Sequence, residues 1–108
     1  MDFGRLNEFR EFDDEDLRMT REVVSLFVND APQRLQAIAA ALAANDAQAL
    51  SRAVHALKGA ASNVGAAAMH AVCIGLEAEA QVPPDAGARL DQLHELWQET
   101  RSALEKWA

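Results

Sequence analysis

A chain of 108 residues, half of them hydrophobic, holds one core, is too short for two, and is too apolar to remain a disordered tail. Its 17 acidic residues against 10 basic ones give a formal charge of −7, which repels phosphate backbones and anionic lipid and argues against nucleic-acid and membrane partners. The single cysteine, Cys73, excludes an internal disulfide and any multi-cysteine metal or cluster site; no apolar run is long enough to cross a bilayer and no apolar leader core opens the chain, so a soluble cytoplasmic protein is the expectation.

Alanine dominates the hydrophobic half, with only three prolines and five glycines, a balance that favours close-packed helices over sheet. Residues 1–13 form an N-terminal extension in which Phe3, Leu6, Phe9 and Phe12 recur every three residues: either a short helix laid on the rest or a frayed end. Asp13 or Asp14 is a helix N-cap, with further acids placed near the positive end of the dipole. From about Asp14 to Asn29, Leu17, Val23, Val24, Leu26, Phe27 and Val28 supply an apolar stripe. Asp30-Ala31-Pro32 then reads as a fresh helix start, proline being tolerated in a first turn. The alternative is one long helix kinked at Pro32.

Leu35, Ile38, Ala39 and Leu42 carry the next stripe to about Asn45. Asp46 caps a third helix bearing Leu50, Ala53, Val54, Leu57, Ala61 and Val64, which Gly65 ends in a left-handed conformation. Met69, Val72, Cys73 and Leu76 mark a fourth helix up to about Gln81. Val82-Pro83-Pro84 breaks the chain, and Asp85 caps a last helix lined by Leu90, Leu93, Leu96, Trp97, Leu104 and Trp107. Short connections make successive helices antiparallel, so residues 14–108 form an all-α, up-down four-helix bundle.

Functional chemistry concentrates on the third helix. Leu50, Val54, Leu57, Ala61 and Val64 fall within about a quarter-turn of a helical wheel and face the core, and His55 lies roughly 150° from their centre. It projects to solvent from mid-helix, with Ser51, Lys58, Gly59 and Ser62 on the same face. An exposed imidazole is mostly uncharged and nucleophilic at neutral pH. A phosphoryl group on it brings about two negative charges and three acceptor oxygens, which Lys58 one turn away can meet. Gly59 costs about 1 kcal/mol relative to alanine inside a helix; it serves either the approach of a partner's active site or close packing of a neighbouring helix.

Taken singly, each of these residues has a plain reading as surface or packing; together, at fixed offsets, they point to one site. His55-Ala56-Leu57-Lys58-Gly59-Ala60-Ala61-Ser62-Asn63-Val64-Gly65-Ala66 resembles the signature of histidine-containing phosphotransfer (HPt) domains: histidine, any residue, leucine, lysine, glycine, small residues, then an aliphatic residue and glycine. The resemblance extends to Cys73, Leu76 and Glu77 and weakly to residues 27–50. It implies a carrier in a multistep phosphorelay, in which His55 accepts a phosphoryl group from a receiver-domain aspartate or a kinase and passes it to another receiver domain. Lys58 would neighbour the phosphoryl group and Gly59 would leave room for the docked receiver. Glu77 would hydrogen-bond the other imidazole nitrogen, with Ser62 beside the site, and Ser51, Arg52 and Ala56 would belong to the partner surface.

The partners implied are receiver domains of response regulators or a hybrid sensor kinase, which bring the aspartate and Mg²⁺; the chain itself needs no cofactor and acts as a monomer without catalysis of its own. Ala67, Ala68 and Gly75 depart from positions that are charged or polar in many relatives. Three rival classes remain: a metal-binding bundle using His70, Cys73 and His94, a plain scaffold in which His55 is incidental, and an autonomous enzyme, for which no paired carboxylates, Ser/His pair or nucleotide loop are present.

Overall fold

The computed structural model describes residues 1–107 as five helices, with no strand among the described residues; Ala108, the last residue of the anticipated bundle, lies outside them. The helices are α1 (Gly4–Glu11), α2 (Arg18–Ala43), α3 (Ala47–Val64), α4 (Ala67–Glu77) and α5 (Ala86–Trp107). α2 touches α3 and α5, and α4 touches α3 and α5, so the four long helices close a ring around one core. α1 packs against α2 and α3.

The core is the sum of helical seams. Val24, Phe27, Ala31, Leu35 and Ile38 bury the inward side of α2, and Leu50, Val54, Leu57, Ala61 and Val64 that of α3. Met69, Cys73 and Leu76 answer from α4, and Leu93, Trp97 and Leu104 from α5. Trp97 meets Phe27 edge-on, with ring centroids 5.5 Å apart. α3 is capped at both ends. The Asp46 carboxylate accepts from the Ala49 amide at 3.1 Å, and Gly65, at φ +76°, turns the Gly65 and Ala66 amides back onto Ser62 and Ala61.

Of the two readings open at Pro32, the fresh start gives way to the single helix: α2 runs unbroken from Arg18 to Ala43. The buried register 24, 27, 31, 35, 38 continues through the proline, and a break there would turn one half of the seam away from the core. Pro32 itself is exposed, so its ring sits on the outer side of α2, away from the seam. α2 also begins later than Asp14. Residues 13–17 form a turn closed by Leu17 at φ +54°, and from that turn Asp14 accepts from the Arg18 amide while Asp13 accepts from the Met19 and Thr20 amides. Both aspartates therefore cap the helix from outside it. The Asp13 carboxyl is lowered to about 2: partial desolvation pushes it upward, and hydrogen bonds from Thr20, Asp14 and Met19 outweigh that push. α4 stops at Glu77, short of Gln81, and Leu26, placed in the apolar stripe of α2, is 61% exposed.

Residues 4–11 take the helical alternative. Leu6 is fully buried, Phe3 stacks on Trp107 at 6.0 Å, and Arg10 lies 4.7 Å over the same indole. Phe12, the last member of the spacing-three pattern, stands 85% exposed. The Asp2 amide donates to the Gly65 carbonyl at 2.8 Å, and a Cβ built on Gly65 would lie 1.8 Å from the Asp2 carbonyl oxygen. Gly65 thus serves two needs at once: a left-handed cap for α3 and bare backbone against the N-terminal segment.

Candidate functional site

The doubly capped α3, turned by its seam, is a stiff mount for His55. Val54 and Leu57 are wholly buried on either side of it in sequence, and the His55 side chain stands 69% exposed at mid-helix. The face read from the sequence is the face in the structure.

Its anchor comes from the neighbouring helix. Glu77, the last residue of α4, places Oε1 2.7 Å from His55 Nδ1 and Oε2 2.5 Å from Lys58 Nζ. One carboxylate thus bridges imidazole and ammonium across α3 and α4. Hydrogen bonds from Lys58 and then from His55 hold the Glu77 carboxyl below its usual range, against a smaller opposing desolvation. An ionised carboxylate only accepts, so the hydrogen between it and the ring belongs to Nδ1. Nε2 then keeps its lone pair, and it has no partner among the described residues. Lys58 and Glu77 are each about a quarter exposed, so this pair is better sheltered than the surface ion pairs elsewhere.

A Cβ added to Gly59 would find no atom within 4 Å. The glycine lies in open space, which removes helix packing as its reason. It borders a groove of about 730 Å³ between α2 and α3, whose α3 wall includes His55, Ala56, Gly59 and Ala60 and whose α2 wall includes Val23, Leu26, Asp30 and Arg34. Of the partner surface expected from sequence, Ala56 lines this groove, and Ser51 and Ser62 are exposed on α3 outside it. Arg52 lies apart, in a second depression with Ala37, Ala40, Ala44 and Asp46. The α2 wall was not singled out from the sequence. Leu26 carried a signal for it, since it stands roughly 140° off the centre of the α2 seam.

The metal reading loses its geometry. No group of three potential ligands occurs among the described residues, so His70, Cys73 and His94 do not converge. Cys73 is fully buried, and burial, then the nearby Glu77 charge, pushes its thiol up to about 12, the opposite of what a metal-binding thiolate needs. No described helix is long and apolar enough to cross a membrane.

Residues 22–103 match the family model of the Hpt domain. The chain belongs to the Hpt domain family. The match takes in all of α3 and α4, and therefore His55, Lys58, Gly59 and Glu77, but leaves out α1 and the last residues of α5. No curated protein and no solved structure matches the chain significantly. Hpt domains carry phosphoryl groups on histidine in phosphorelays and are in general carriers, not catalysts. In this Hpt domain the matched span includes His55, whose ring is anchored at Nδ1.

Proposed function

We propose that the protein is a phosphorelay carrier that takes a phosphoryl group onto His55 Nε2 from a receiver-domain aspartate, or from a kinase, and hands it to another receiver domain. The observation that carries this reading is the bridged imidazole: Nδ1 tied to Glu77, Nε2 free, on an exposed mid-helix face. Phosphoryl transfer depends on in-line positioning and charge neutralisation. The chain contributes an oriented nucleophile of fixed tautomer, a cation one turn away and, at Gly59, a flank without side-chain bulk. The receiver contributes the aspartate and Mg²⁺.

The groove beside His55 suits the rim of such a partner. Exposed Leu26 offers apolar contact, and the Asp30–Arg34 ion pair frames its edge. Ser51 and Ser62 border the same face of α3, whereas Arg52 lies apart from it, in the second depression.

The test is to incubate the protein with a phosphorylated receiver domain and follow a label that is acid-labile and base-stable, as an N–P bond requires. Wild type becomes labelled and His55→Gln does not. Equal labelling of the two would overturn the assignment.

A further inference from the structure

Glu77 has a role that tautomer selection does not exhaust. In the resting site the Nδ1 proton sits between the ring and an ionised carboxylate. When Nε2 attacks phosphorus, its lone pair forms the N–P bond. The P–O bond to the donor breaks, and that electron pair stays on the donor oxygen as a carboxylate. The ring is now cationic, with phosphorus on Nε2 and the proton still on Nδ1. If that proton leaves for solvent, the ring becomes neutral, and onward transfer must expel an anionic imidazolide unless a proton first returns. If it stays, an acceptor carboxylate attacks phosphorus, the N–P electrons fall back onto Nε2, and neutral imidazole departs with Nδ1–H already in place. Proton and charge then balance over the whole cycle with nothing exchanged with water.

We propose that Glu77, held in place by Lys58, keeps the Nδ1 proton on His55 through the phosphorylated state and so keeps the phosphoryl group ready for onward transfer. Glu77 is thereby a positioning residue that acts through the ring, and Lys58 acts through Glu77 by fixing the second carboxylate oxygen at 2.5 Å. This rests on His55 being the phosphoacceptor.

The charges around the ring allow it. α4 contributes Glu77, and beneath it Cys73, whose thiol is uncharged across the neutral range. α3 contributes Lys58, already engaged by Glu77. α2 contributes Asp30 and Arg34 across the groove, paired with each other. Glu77 is therefore the carboxylate in direct contact with the ring nitrogen, and replacing it with glutamine removes the charge while preserving shape.

The experiment loads the full chain, labelled with ¹⁵N in its histidines, using phosphoramidate, a small N–P phosphodonor that needs no protein partner. The ¹⁵N resonance of Nδ1 in phosphorylated wild type and in Glu77→Gln is followed across neutral to alkaline pH, with far-UV circular dichroism as the check on fold. Wild type keeps the protonated Nδ1 signal to higher pH, its profile displaced by about one pH unit or more, as expected when an opposite charge in contact is removed. Coincident profiles in two folded, phosphorylated proteins would overturn the proposal and leave the carrier assignment standing. Where phosphoramidate leaves His55 unlabelled, a phosphorylated receiver domain with Mg²⁺ loads the protein instead, and failure of that loading in wild type would overturn the carrier assignment and this proposal with it.

Discussion

The His55 face and the α1 end of the molecule use the same α3 helix in opposite ways. Around His55 an exposed imidazole and a partly sheltered ion pair meet, and three residues on two helices, His55, Lys58 and Glu77, form the site proposed to carry the phosphoryl group. At the α1 end, Leu6 is fully buried, Phe3 and Arg10 close on Trp107, and the Asp2 backbone lies on Gly65. The family match covers the first region and omits α1 and Trp107 from the second. On the proposed function, chemistry and stability fall to separate residues, and substitutions can pull them apart.

The sharpest separation comes from Leu6→Ala. Emptying a fully buried leucine site costs about 2–5 kcal/mol, and the thermal midpoint falls by roughly ten degrees or more, with His55 labelling unchanged wherever the protein is still folded. A change in labelling of folded protein would join the two regions. Gly65→Ala comes next. A Cβ on a left-handed residue and against the Asp2 carbonyl costs more than about 1 kcal/mol and frees the N-terminal segment, seen as faster hydrogen exchange across α1. Protection of α1 amides at the wild-type level would contradict the contact.

On the other side, Lys58→Ala removes a charge-assisted contact to Glu77 and slows labelling by about tenfold with little change in the melt. A loss of several degrees without a kinetic effect would make Lys58 a structural residue. The smallest effect belongs to Asp13. Its folded carboxyl is lowered to about 2 from an ordinary 3.8, so its contribution is fully present above the ordinary value and is lost as pH falls through the folded one. The stability gap between wild type and Asp13→Ala should be constant above about pH 5 and close towards pH 2; acid titration of both proteins by circular dichroism measures it, and a gap independent of pH would contradict the capping role.

The periodic features were legible in sequence because they are local. The α3 seam, the Asp46 cap, the Gly65 stop and the outward direction of His55 all follow from 3.6-residue geometry and cap chemistry within one helix. Pro32 left two readings open because a proline satisfies both a first-turn and a mid-helix position, and the choice is made by a seam that needs α3 and α5 opposite it. Asp13 and Asp14 cap α2 from a turn that no spacing rule specifies. The contact from Glu77 to the His55 ring was suggested by resemblance alone. Its second contact, to Lys58, depends on how α4 is placed beside α3, which no pattern within either helix encodes. The α2 wall of the groove was missed for a similar reason: Leu26 reads as one more apolar residue until the seam has chosen its register.

The central claim is that Glu77 occupies one ring nitrogen of His55 and leaves the other to react. Phosphorus–proton correlation spectra of the phosphorylated protein show which nitrogen bears the phosphoryl group. Phosphorus on Nε2 is the predicted result; phosphorus on Nδ1, or on any residue other than His55, would contradict the account.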